Sequence, residues 1–137
     1  MPGETDLAIL LASLEPRLDP LEYGFATLPH GTALPAGLVP LGLFREDEGL
    51  TVIASVDELA AHGIAATGGW ARITLMVQSA LDAVGMTAAM STALTAAGIS
   101  ANVVAAYHHD HVFVPWTRRD EAVAVLGRLG EPRGTTS

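Results

Sequence analysis

The chain has 137 residues, half of them apolar, with fifteen acidic against seven basic residues and a formal net charge of -8. That is enough apolar content for a core without staples. Cysteine is absent, which excludes disulfides, thiolate metal sites and cysteine catalysis and makes the cytoplasm the expected residence. Lysine is absent as well, and an acidic chain without clustered cations is not built to grip a nucleic-acid backbone.

The opening MPGETDLAILLASLEPRL has no basic start, and its apolar stretch is broken by Ser13, Glu15 and Pro16, so neither a signal peptide nor a membrane span is expected. Thr5 or Asp6 caps a first helix in which Leu7, Leu10, Leu11 and Leu14 recur at helical spacing, and Pro16 ends it. Tyr23, Phe25 and Thr27 alternate within a strand from Glu22 to Leu28, and Pro29 to Gly37 is rich in turn residues. Val39 to Arg45 and Leu50 to Ser55 form a hairpin around Glu46-Asp47-Glu48-Gly49. Ser55 with Glu58 then makes a capping box for a short helix that stops at Gly63.

After a small-residue linker, Trp70 to Val77 is the next strand. Gly85 precedes a helix whose inner face is Met86, Met90, Ala93, Leu94 and Ala97, and Gly98 ends it. Asn102 to Tyr107 and Val112 to Trp116 form a second hairpin around His108, His109, Asp110 and His111. Thr117 with Asp120 caps a last helix burying Ala122, Val125, Leu126 and Leu129. The tail from Glu131 to Ser137 is expected to be disordered.

The two halves echo each other. An offset of 62 carries Ser55 onto Thr117, Glu58 onto Asp120, Glu48 onto Asp110 and Glu46 onto His108, so each half ends in hairpin, hydroxyl cap, acid and helix. Only Pro29 to Gly37 stands in the first half where the second has its long helix. The expected architecture is α+β: two ferredoxin-like modules in tandem, antiparallel sheets with helices on one face, a degenerate one over 6–66 and a full one over 70–130. The high mean hydropathy of +0.38 adds the expectation that a second copy covers apolar surface, giving a homodimer.

The segments VQSALDAVGMTAAMSTALTAAGIS and NVVAAYHHDHVFVP resemble the first strand-to-helix segment and the following hairpin of an ACT domain, a small βαββαβ module that binds amino acids and regulates metabolic enzymes. The whole chain, with its FREDEGLTVIA hairpin, is similar to short bacterial proteins of unassigned function carrying two ACT-like modules. The resemblance implies a ligand at the interface between modules, held by Ser79, Asp82, Val84, Gly85 and Met86 on the loop and by Asp110 at the hairpin. His108 stands where that group has an aromatic residue before its His-Asp-His and joins the candidate contacts. The resemblance also implies a regulated enzyme supplied in trans.

Elementary chemistry leads to the same loop. A helix starting after Gly85 leaves free N–H groups and a favourable dipole for a carboxylate. Asp110, Asp82 or Glu48 can accept from an ammonium group. Turn geometry alone also explains Gly85. The histidine cluster suggests a metal, with His109 and His111 as the ligands, but strand alternation puts those two on one face and His108 with Asp110 on the other. A catalytic reading finds no nucleophile: Ser79 lacks a G-x-S-x-G setting. The expected function is therefore non-catalytic amino-acid binding, without cofactor, nucleic acid or membrane. The alternatives are a small metal- or histidine-dependent enzyme and a structural subunit with a vestigial pocket.

Overall fold

The computed structural model describes residues 6–77 and 85–130. Two compact units are present: Pro20–Trp70, and a discontinuous one made of Met1–Asp19 and Ala71–Ser137. Among the described residues no helix is long and apolar enough to cross a membrane.

The Pro20–Trp70 unit has the strand order β2-β3-β1, where β1 is Pro16–Pro29, β2 Gly42–Glu46 and β3 Gly49–Ser55. Both pairings are antiparallel, with Tyr23 opposite Ser55 and Pro29 opposite Gly49 in one, and Gly42 opposite Ile53 in the other. Period-two alternation along β3 buries Val52 and Ala54 against Ala26, Leu28, Leu38 and Leu59. β2 starts three residues later than its apolar run suggests, because Pro40 has no N–H to give and only Leu41 N beyond it bonds back, to Ile53 O at 2.7 Å. Gly49 is required: a Cβ there would lie 2.4 Å from the Leu28 carbonyl oxygen.

Helix α2, Val56–Ala61, is capped as expected by Ser55, whose Oγ accepts from Glu58 N at 3.1 Å. The reciprocal half of the capping box is not made. Glu58 Oε1 instead accepts from Val39 N at 3.0 Å, tying down the long loop before β2. That loop places Leu38, and partly Leu34, in the core where this half has no helix.

In the discontinuous unit, α1 is Leu7–Ala12 and Asp6 Oδ1 accepts from Ala8 N at 3.0 Å and Ile9 N at 3.3 Å. β4 is Thr67–Leu75, α3 Met86–Ala96, β5 Asn102–Ala105, β6 Asp110–Pro115 and α4 Arg119–Gly127, with sheet order β4-β6-β5. The core joins Leu10 and Leu14 of the first segment to Ile73, Leu75, Met90, Leu94, Val112, Val114 and Leu126. Each such side chain stabilises by about 1.5–3 kcal/mol when fully buried.

Helix α3 begins and ends on left-handed glycines, Gly85 at φ 94° and Gly98 at φ 73°. Its last carbonyls find a partner from far along the chain: Arg118 donates to Ala97 O at 3.0 Å and Gly98 O at 3.2 Å. Thr117 does not cap the last helix. Trp116–Arg118 form a 3-10 turn instead, and α4 starts at Arg119 with no side-chain cap. The Arg119 guanidinium lies over the Trp116 ring at 3.9 Å and donates to Trp116 O, which holds that turn.

Candidate functional site

The turn of the β5–β6 hairpin lies two residues earlier than the sequence suggests. Ala106 N donates to His109 O at 3.1 Å, so the turn closes over four residues and Asp110 and His111 enter the strand. This places Asp110 on the same face of β6 as Val112 and Val114, both fully buried in the core below the helices. Asp110 is only 9% exposed and is the buried charged side chain among the described residues. Its carboxylate takes no hydrogen bond from any of them. Burial pushes its carboxyl above the ordinary 3.8, and nearby His109 offsets this only in part.

The neighbouring histidines separate as alternation requires. His108 is exposed at the tip, its ring edge-on to Tyr107 with centroids 4.9 Å apart. His111 points to the other face, where its Nδ1 lies 2.9 Å from Thr74 Oγ1. Beside it run Arg72 and Asp19, paired at 2.6 Å. Burial, then the charge of Arg72 and then His109 hold His111 below the ordinary 6.5. Among the described residues no three His, Asp or Glu side chains gather as a metal would need. His111 is committed to Thr74, away from the Asp110 face.

Of the loop residues nominated by sequence, Ser79, Asp82 and Val84 lie outside the described residues. Gly85 occupies the N-cap of α3, with no side-chain cap competing for the helix N-terminus. The Met86 side chain is 3% exposed and belongs to the core, so that side chain is not a ligand contact. Glu48 is exposed in the β2–β3 turn of the other unit.

Two clefts went unread in the sequence. One, of about 380 Å³, is lined by Ser13, Glu15, Pro16, Met76, Val77 and Gly127. Glu15 has φ 47°, and its carbonyl shares the Met76 N–H with that of Leu14, at 3.2 and 3.1 Å. Nothing in the sequence marks Glu15, a residue with no preference for positive φ. The other, of about 260 Å³ in the Pro20–Trp70 unit, is lined by His30, Thr32, Arg45 and Glu46 among others, and Glu46 accepts from the Thr51 hydroxyl.

Comparison with known proteins agrees with this geometry. ACT domain profiles match residues 2–70 and again 65–128. The chain belongs to the ACT domain family. Two ACT modules stand in tandem, each α+β and ferredoxin-like with an antiparallel sheet and helices. A Vibrio cholerae protein of unknown function, described as a possible transport protein, is 38% identical with a TM-score of 0.82, covering 91% of this ACT protein and 96% of its own chain. An Agrobacterium tumefaciens protein is 23% identical at a TM-score of 0.71, over 84% and 87% of the two chains. The regulatory subunit of aspartate kinase from Thermus flavus shares the fold at 14% identity and a TM-score of 0.59, over 85% and 97%. No curated protein matches the chain.

Proposed function

We propose that this ACT protein is a non-catalytic receptor for a small amino acid or a related metabolite. The observation that carries the reading is Asp110: a charged side chain only 9% exposed, on the helix side of the sheet, its carboxyl pushed above the ordinary value by burial. Partly burying a charge is costly, and a ligand ammonium group offsets that cost by pairing with it. The ligand carboxylate takes the opposite pole, the free N–H groups of Gly85 and Met86 at the start of α3. Ser79, Asp82 and Val84 ahead of that helix and His108 at the hairpin tip complete the proposed contacts. Binding favours one arrangement of the protein, and an enzyme supplied in trans, in the cytoplasm, reads that change. Regulatory subunits of aspartate kinase use this same fold.

The test is a melting-temperature panel of the purified protein against the twenty amino acids, with and without chelator. A rise with one chemical class, indifferent to chelator, supports the receptor. A panel without any rise sinks it, and a melting temperature lowered by chelator alone points to a metal site instead.

A further inference from the structure

The cleft of about 260 Å³ in the Pro20–Trp70 unit takes no part in the proposed receptor, and polar side chains from two separate segments line it. One segment is the turn 29–32, closed by Thr32 N donating to Pro29 O at 3.0 Å, with Gly31 at φ 81°. It contributes His30 and Thr32. The other is the end of β2, which contributes Arg45 and Glu46. Arg45 pairs across the ladder with Leu50, and Leu50 with Leu28. Residues opposite one another share a face, so the Arg45 side chain stands on the face where Leu28 and Leu50 meet the core. Glu46, next along β2, turns to the other face, and its carboxylate accepts from the Thr51 hydroxyl.

We propose that this cleft binds a phosphate group, anchored by the Arg45 guanidinium and completed by the Thr32 hydroxyl and the His30 imidazole. Arg45 is the one Lys or Arg between residues 20 and 70, against six acidic residues, so its place in a cleft rather than beside a carboxylate is informative. Arg72 is paired with Asp19 and Arg118 with Glu121, whereas Arg45 has no ion-pair partner among the described residues. A guanidinium presents its N–H donors in a planar fork that matches an oxyanion, and such charge-assisted bonds are about twice as strong as neutral ones.

The donor set favours phosphate over carboxylate. A carboxylate has two oxygens, which the fork satisfies alone, while a phosphate monoester has three terminal oxygens and uses the hydroxyl and the imidazole N–H as well. At about 260 Å³ the cleft lies just below the roughly 300–1,000 Å³ of ordinary ligand pockets, which fits inorganic phosphate or a monoester of a few carbon atoms. A Cβ at Gly31 would meet nothing within 4 Å, so the backbone there is open to the anion. The net charge of -8 repels anions at long range, so binding depends on these local contacts and not on diffuse attraction.

The test is an NMR titration of the isotope-labelled full chain with inorganic phosphate, glycerol phosphate and acetate, at constant ionic strength and pH. Saturable shifts of the Gly31 and Thr32 amides and of the Arg45 side-chain N–H are expected with phosphate. Tighter binding of glycerol phosphate identifies a monoester as the ligand, and equal or weaker binding identifies the inorganic ion. Arg45→Gln weakens phosphate at least about tenfold, with the rest of the spectrum unchanged because Arg45 is exposed. Arg17→Gln, at an exposed arginine of the other unit, leaves the affinity as it was. The proposal is overturned by shifts that never saturate, by acetate binding as tightly as phosphate, or by equal loss in the two variants. Gly85, Met86 and Asp110 take no part in this cleft, so the phosphate titration and the amino-acid panel succeed or fail separately.

Discussion

Replacing Asp110 by Asn keeps the side chain's shape and removes its charge, and the expected consequences for stability and binding have opposite signs. Burial raises the folded carboxyl above 3.8. Over the window just above that value the native protein still holds a proton that the unfolded chain has lost, so stability falls as pH rises through it. At neutral pH the ionised carboxylate is a standing cost that asparagine does not carry. Ligand-free Asp110→Asn is therefore expected to melt at or above wild type near pH 7, the difference vanishing below pH 3.8. Binding moves the other way: a hydrogen bond to a charged group contributes about 1.5–3 kcal/mol, so its loss weakens the ligand about 10- to 150-fold. Ligand at about 100 times the wild-type Kd stabilises by about 2.7 kcal/mol, roughly 8 °C at about 3 °C per kcal/mol for a chain of this length. The same concentration moves Asp110→Asn by about 4 °C at most and about 1 °C at the weaker limit. Differential scanning fluorimetry reads both quantities. A variant that melts several degrees lower without ligand, yet keeps the full ligand shift, refutes the assignment and makes Asp110 structural.

His111 supplies a pH dependence of its own. Its folded value lies below 6.5, so the stability tied to its neutral form is present above 6.5 and drains away as pH falls, because the unfolded chain protonates first. His111→Gln can still bond Thr74 but does not titrate. Its melting temperature should fall less than that of wild type between about pH 7.5 and about pH 5, and equal falls would remove His111 as the cause. At Gly85, φ 94° and a Leu7 methyl 3.2 Å from a built Cβ forbid an easy alanine. Gly85→Ala should cost about 1–2 kcal/mol, or about 3–6 °C in melting temperature, and an unchanged melting curve would show that α3 tolerates another start.

What the sequence made legible was what short-range physics decides. Asp6 and Ser55 cap where their spacing says, Gly85 and Gly98 bracket α3, and Met86, Met90 and Leu94 face inward because a helix brings them to one side. Where a local signal competed with a distant partner, the distant partner won. Glu58 leaves the capping box for the Val39 amide, and Arg118 is drawn to the α3 carbonyls while Trp116 and Arg119 stack, which leaves Thr117 in a 3-10 turn. The site was half legible. Alternation separated His111 from Asp110, but that Asp110 lies in the strand and is buried follows from the hairpin's closure at Ala106 and His109. Glu15 carries no mark at all, since its left-handed backbone is imposed by the shared bond to Met76.

The division of the chain in space limits how far the repeat can be taken as two separable pieces. A cut in the linker before Trp70 would follow the repeat, yet Leu10 and Leu14 of the first segment sit fully buried among Leu75, Met90 and Leu126. The fit is close on the backbone too: a Cβ at Gly130 would stand 2.6 Å from the Leu11 carbonyl oxygen. The two leucines together contribute about 3–6 kcal/mol, against a total stability of about 5–15 kcal/mol for a typical domain. A fragment of residues 70–137 also loses the β1 residues Pro16–Asp19, among them the Asp19 partner of Arg72. It should show no cooperative melting and should bind hydrophobic dye, whereas the whole chain melts in one transition that includes α1. Cooperative melting of that fragment near the temperature of the whole chain would mean that α1 is an accessory to the ACT core, not part of it.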